Sequence, residues 1–305
     1  MERVKKNVLD EKIELEVENG IIIKISKGTG GEITIKVMKN GYSTNYVNPP
    51  IPEGYKHVCG KWNDGFVIQK LSDGSQFVWI PVGSLDSDGT LDGESFLEKF
   101  GRRNYREGDD VFSCKHFHEN LNQELSEQLE SVKKYGGFYI SRYNISKSST
   151  GKPQSVKGAI PWVDISFDDA KKIALTFENN EKVKSDLPYG AAQDSILKWA
   201  CETGSMTFTE IVMDSTNLGN YTNEKKSPGE IAVTGSREKW CVNKIYDLTG
   251  NVNEWTQEQH GNSCRVIRGG DYRVPADICP AAFRDYDKPC YGSSYTGFRI
   301  AIYIK

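Results

Sequence analysis

Two stretches of this chain hold side chains of types and spacing that could do chemistry. Cys114, His116 and His118 alternate in the order Cys-Lys-His-Phe-His. On an extended backbone alternate residues share a face, so one thiolate and two imidazoles would converge as ligands for an ion such as zinc. No fourth ligand is evident, and the segment is polar and loop-like. The second stretch runs from Asp271 to Tyr295, where Asp271, Tyr272, Arg273, Tyr286, Asp287, Tyr291 and Tyr295 interleave phenols with charges. Tyrosine offers a broad amphipathic contact at small entropy cost, so these seven residues form the candidate ligand-binding set. The seven cysteines are odd in number and widely spaced, with no Cys-x-x-Cys pair. They read as reduced, mostly buried thiols, with one late disulfide among Cys264, Cys279 and Cys290 left open. His260 stands alone and reads as a solvated loop residue. The sequence holds no Gly-x-Ser-x-Gly, no phosphate-binding Walker loop and no Gly-x-Gly-x-x-Gly.

The elements that must position these groups are short. Lys12–Val17, Gly20–Ser26 and Glu32–Met38 alternate apolar and polar residues, with Asn19-Gly20 and Asn40-Gly41 as turn signals. Residues 1–47 are therefore expected to form a small antiparallel β module, either packed on the main domain or serving as an attachment module. A proline-rich link at 48–55 should separate it from a main domain over 56–305. Apolar strands are expected at 65–69 and 76–82, and a long polar loop at 83–118. Leu121, Leu125, Leu129 and Val132 mark one helical face, which Gly136-Gly137 should end. Residues 137–143 read as a strand. Ser166-Phe-Asp-Asp169 opens a short amphipathic helix, 190–203 reads as a second, and Thr207-Phe-Thr-Glu210 caps a third. Short motifs separated by Gly, Asn, Asp and Ser fill the rest, an α+β pattern with few helices and much irregular chain.

Composition narrows the function. With 39 basic and 42 acidic residues the net charge is −3, which gives no electrostatic footprint for nucleic acid. No apolar run approaches a membrane span, so no membrane insertion is expected. The first residues, MERVKKNVLDEKIE, are charged and carry no apolar stretch, so no ordinary secretory signal is expected.

Six motifs in order carry a family resemblance: Gly137-Phe-Tyr-Ile-Ser-Arg-Tyr143, Pro161-Trp-Val-Asp-Ile-Ser-Phe167, Leu187-Pro-Tyr-Gly-Ala-Ala192, Tyr246-Asp-Leu-Thr-Gly-Asn-Val-Asn-Glu-Trp-Thr256, Arg265-Val-Ile-Arg-Gly-Gly-Asp-Tyr272 and Thr296-Gly-Phe-Arg-Ile-Ala-Ile302. Together they resemble the formylglycine-generating enzyme / sulfatase-modifying factor family. The resemblance covers about residues 135–305 and implies the irregular α+β fold shared with C-type lectins. It also implies a structural calcium ion held by side-chain oxygens of Asp247 and Glu254 and the carbonyls of Gly250 and Val252. A second calcium site would use Asn220 and the backbone carbonyl of Tyr221, but the expected acid near Ser236 is missing. Arg268 and Arg299 read as internal ion-pair partners, and Trp255, Tyr272 and Phe298 as apolar anchors.

Catalytic members of that family oxidise a substrate cysteine with oxygen and copper, using two cysteines just after the Gly-Gly segment. Here Val274 stands at the first of those positions, and Cys279 matches the second only by count. The resemblance therefore points to a noncatalytic relative. The expectation is a recognition or decoration protein displayed on a phage virion, tail-like particle or cell surface. It would bind a host-surface glycan or protein through its C-terminal loops and attach to virion or particle proteins through residues 1–47. The alternatives are a copper-dependent oxidase of protein cysteine and a purely structural particle component.

Overall fold

The computed structural model describes residues 49–61, 64–82, 117–119, 122–222 and 229–305, together with the backbone of short strands within 5–43 and at 90–91 and 94–95. The N-terminal strands β1 (Lys5–Leu9), β2 (Lys12–Val17), β3 (Ile21–Lys27), β4 (Ile33–Lys39) and β5 (Tyr42–Ser43) form an antiparallel meander in the order β1-β2-β3-β4-β5. Three of these five runs were legible from period-2 alternation.

A six-stranded antiparallel sheet carries the main domain. Its strands are β6 (Tyr55–Cys59), β7 (Val67–Lys70), β8 (Gln76–Pro81), β12 (Gly137–Ser141), β15 (Val183–Asp186) and β22 (Ala301–Ile304), ordered β15-β22-β12-β8-β7-β6. The first strand thus begins at Tyr55, inside the range read as link. A second sheet is built from β11 (Phe117–His118), β18 (Asn253–His260), β19 (Cys264–Arg268) and β20 (Arg284–Asp287), with β21 (Thr296–Gly297) beside β18. Three two-stranded ribbons complete the strands: β9 (Thr90–Leu91) with β10 (Glu94–Ser95), β13 (Ser146–Lys147) with β14 (Pro153–Gln154), and β16 (Cys241–Val242) with β17 (Ile245–Tyr246). Of the loop expected at 83–118, only β9, β10 and β11 fall within the described residues, and Cys114 and His116 lie outside them.

Helix α1 (Gln123–Tyr135) starts where the Asn122 side chain accepts the Leu125 amide at 2.8 Å. It stops at Gly136, whose φ of 75° only a glycine or a short polar residue takes up easily. Helix α2 (Phe167–Phe177) is capped by Ser166, and α4 (Phe208–Val212) by the full capping box of Thr207 and Glu210, both as the sequence indicates. Helix α3 (Gly190–Glu202) has no cap of its own. The Glu119 carboxylate, far away in sequence, accepts the Ala191 amide at 3.3 Å instead.

The large sheet is buried on both faces. Along β8, Val78 and Ile80 enter a core with Phe138, Ile196 and Trp199 of α3, while Phe77 and Trp79 enter a second core with Ala170 and Ala174 of α2 and with Trp255 and Phe298. The second core reaches into the smaller sheet, so the apolar anchors Trp255 and Phe298 tie the C-terminal loops to the rigid part of the domain.

Candidate functional site

The turn between β17 and β18 holds several buried polar groups. Asp247 and Asn251 both have positive φ, at 52° and 65°, and Gly250 lies at 70°. A Cβ on Gly250 would meet the Asn220 backbone at 2.7 Å, so glycine is required there on two counts. Asn251 locks the turn: its Oδ1 accepts the Ala232 amide at 2.9 Å and its Nδ2 donates to the Ala232 carbonyl at 3.1 Å. Arg299, fully buried, donates Nε to Glu254 Oε1 at 2.6 Å, Nη1 to the Ser141 carbonyl at 2.9 Å, and Nη2 to the carbonyls of Tyr246 and Asp247. Asn144 Nδ2 also donates to Glu254 Oε1, at 2.8 Å. Asp247 Oδ2 accepts from the Thr234 hydroxyl at 2.7 Å and the Gly235 amide at 2.9 Å.

The other oxygen of each acid, Asp247 Oδ1 and Glu254 Oε2, is buried and has no hydrogen-bond partner. Burial pushes the Glu254 carboxyl up to about 7, with the Asp247 charge adding to the push and Arg299 and Asn144 opposing it. Burial likewise raises Asp247. Buried acidic oxygens without a partner are costly unless a cation or a proton satisfies them. The donor set therefore fits a hard cation. No group of three or more His, Cys, Asp or Glu in metal-binding arrangement occurs among the described residues, so such an ion would draw its remaining ligands from carbonyls and water. Asn220, named for a second calcium site, spends its amide on the Glu230 carbonyl and Asn251 Oδ1, and the Tyr221 hydroxyl on the Gly269 carbonyl and Thr249. Both side chains brace the first turn.

Beside the turn a buried quartet of charges fixes β20. Arg268 Nη2 bonds Asp194 Oδ1 at 2.6 Å, and Arg284 Nη2 bonds Asp194 Oδ2. Arg284 Nε bonds Glu258 Oε1 at 2.9 Å, and Arg268 Nη1 lies 3.5 Å from Glu258 Oε2. Two acids and two guanidiniums balance inside the protein, linking α3 to three successive strands of the smaller sheet. Burial raises the Asp194 carboxyl and the two guanidiniums pull it back. Arg268 and Arg299 thus have the internal partners expected of them. Asp194 and Glu258 carried no such expectation.

The candidate ligand-binding residues divide into braces and a surface. Asp271 is buried: its Oδ2 accepts from Asn253 Nδ2 at 2.7 Å, and its two oxygens take Arg273 Nε at 2.9 Å and Nη2 at 3.1 Å. Its charge is spent inside the loop, so it positions Arg273 and has no oxygen facing outward to offer a ligand. Tyr272, half-buried, donates its amide to Asn251 and accepts the Gly229 amide on its carbonyl. Arg273 lies over the Tyr295 ring, 3.0 Å from its centroid. Tyr286 is 47% exposed on the edge strand β20 and stacks on His260 at 3.7 Å and 14°, and His260 in turn leans on Phe117 at 5.0 Å. His260, read as an isolated loop residue, is therefore the middle of an aromatic stack. Tyr291 is 55% exposed, with Lys288 Nζ 5.7 Å from its ring, and Asp287 is half-buried. Cys279 is buried, Cys264 half-buried and Cys290 exposed, and no disulfide joins any two of them.

The sulfatase-modifying factor enzyme 1-like domain matches residues 68–304. The chain belongs to this family. Its α+β architecture is that of the sulfatase-modifying factor fold, related to that of C-type lectins. Among solved structures, the chain is similar to PvdO from Pseudomonas aeruginosa, at 16% identity over 80% of this chain and 100% of that one, with a TM-score of 0.46. It is also similar to Treponema denticola variable protein 1, at 18% identity over 54% and 84%, with a TM-score of 0.39. The Major Tropism Determinant U1 variant matches at 9% identity over 98% and 83%, with a TM-score of 0.39. Curated protein sequences offer no match. No helix among the described residues is long and apolar enough to cross a membrane.

Proposed function

We propose that the chain is a noncatalytic recognition protein of the sulfatase-modifying factor family, displayed on a virion, tail-like particle or cell surface. Its C-terminal surface binds a host-surface glycan or protein. The observation that carries this reading is the exposed Tyr286 ring stacked face to face on His260, on a strand whose root is clamped by the buried quartet. A rigid aromatic held outward loses little entropy when a sugar or apolar side chain lies against it. Tyr291 and the Arg273–Tyr295 pair extend the same chemistry along the segment. Val274 argues against a copper oxidase, because a cuprous ion needs paired soft ligands. A calcium ion at Asp247 and Glu254 would hold the turn beneath this surface and would carry out no chemistry. The sheet of residues 1–47 serves as the mount.

The test is binding of the intact chain to host cells and to glycan and protein arrays, with Tyr286→Ala and Tyr291→Ala as variants. Loss of an aromatic anchor typically costs about 2 kcal/mol or more, roughly thirtyfold in affinity. Unchanged binding at an unchanged melting temperature removes these tyrosines from the site. Copper-dependent oxidation of a cysteine peptide by the purified chain would instead restore the oxidase.

A further inference from the structure

We propose that Asp285 and Asp287 close the free edge of β20 against strand addition, so that this surface meets its target through side chains and takes up neither a partner strand nor a second copy. The purpose of the closure rests on the recognition reading above, whereas the closure itself is measured without any ligand. Strand β20 ends the smaller sheet: among the described residues it pairs with β19 alone. Asp285 and Tyr286 are both exposed, so the strand reaches solvent. An edge strand with bare amides and carbonyls is a template for another chain.

The register gives the direction of each amide. The Val266 carbonyl accepts the Thr256 hydroxyl of β18 at 2.9 Å, so Val266 turns its hydrogen-bonding groups toward β18. Main-chain groups alternate sides along a strand, so Arg265 and Ile267 turn theirs toward β20, where they pair with Asp287 and Asp285. Tyr286 and Lys288 then point their amides away from β19, to the open edge. Both amides are already taken. Asp285 Oδ1 accepts the Tyr286 amide at 2.8 Å, and Asp287 Oδ1 accepts the Lys288 amide at 2.7 Å. An amide has one hydrogen, so neither has one left for an incoming carbonyl. Pro289 follows with no amide to offer, and the strand is only 4 residues long. A short strand with charged side chains and a proline is the usual form of a protected edge. The Tyr286 ring is thus presented while the main chain beside it is withheld.

The experiment combines amide hydrogen exchange with sedimentation velocity on the full chain from about 1 to 100 μM, with far-UV circular dichroism as the folding check. In the parent the Tyr286 and Lys288 amides should exchange roughly tenfold or more slower than in an unstructured peptide. Asp285→Ala should remove that protection at Tyr286, and Asp287→Ala at Lys288. The double alanine variant should self-associate roughly tenfold or more tightly than the parent, because two opened edges can pair. Asp285→Asn with Asp287→Asn keeps an acceptor oxygen at each position without its charge, and should match the parent in exchange and in mass. Free exchange of both amides in the parent overturns the proposal, whether or not the alanine variants fold. So does unchanged exchange in folded alanine variants, or a double alanine variant that keeps the parent's mass across the concentration range. Asparagine variants that associate as the alanine variants do also overturn it, because charge and not the bonded amide would then close the edge.

Discussion

Replacing Asp194 by asparagine removes one of the two acids from a closed box that also holds Glu258, Arg268 and Arg284. The Asp194 side chain is 1% exposed, and each of its oxygens serves a different arginine. In Asp194→Asn, Glu258 alone must balance two buried guanidiniums, leaving one uncompensated positive charge out of water. Breaking a buried pair in this way costs about 3–5 kcal/mol. For a domain of this size, that loss should lower the melting temperature by about 6–20 °C. Differential scanning calorimetry of the variant against the parent reads this directly. Lys182→Ala, which removes an exposed pair with Glu53, serves as the surface control and should not move the transition. The double variant Asp194→Leu with Arg284→Met removes one charge of each sign and should cost less than the sum of its parts. A loss below about 1 kcal/mol for Asp194→Asn would refute the reasoning, because it would mean that water or another acid already shares the box.

Four further outcomes follow from named contacts. Gly190→Ala would place a Cβ against the Glu258 carboxylate that both arginines hold, and should destabilise the domain, read by thermal melting. Calcium should raise the melting temperature of the parent, and Asp247→Asn or Glu254→Gln should abolish that rise; no response in the parent would argue against an ion in the turn. Burial pushes Glu202, at the end of α3, up to about 7 from an ordinary 4.5. Its raised folded-state value favours the protonated form, so its contribution is full below about pH 4.5 and is lost as pH rises through 7. Glu202→Gln should therefore match the parent near pH 4.5 and exceed it at pH 8 by at most about 3 kcal/mol, and equal differences at both pH values would reject the assignment. Asp271→Asn should weaken ligand binding through Arg273, and Asp271→Glu should restore part of it if the role is positioning.

Most of the framework was legible in the sequence because it is local. Ser166, Thr207 and Gly136 act within a few residues of themselves, and the β2 to β4 runs announce their faces by alternation. Arg268 and Arg299 could be assigned internal partners from type and context. Which acids they met was not legible. Asp194 and Arg268 are 74 residues apart. The same holds for His260: nothing adjacent in sequence marks it, because its partners Phe117 and Tyr286 come from other strands. Asp271 shows the opposite error. Its type and its place among tyrosines suggest an exposed ligand group, yet Asn253 across the loop claims it from inside.

These particulars explain how a domain with so much irregular chain can present a defined surface. Loops without ladders of hydrogen bonds usually fray, and a frayed loop spends binding energy on its own ordering. Here two aromatics of the segment are tied to charged groups. Tyr286 is two residues beyond Arg284, and Tyr295 lies under Arg273, which Asp271 and Asn253 hold in turn. Two buried carboxylate clusters, at Asp194 with Glu258 and at Asp247 with Glu254, thus replace regular secondary structure as the stiffening device. The exposed residues between them can then change in type without moving the backbone that carries them, because none of the four acids touches the surface. A contact made of one or two rings is weak by itself. Tyr286, Tyr291 and Tyr295 would therefore have to act together on one ligand.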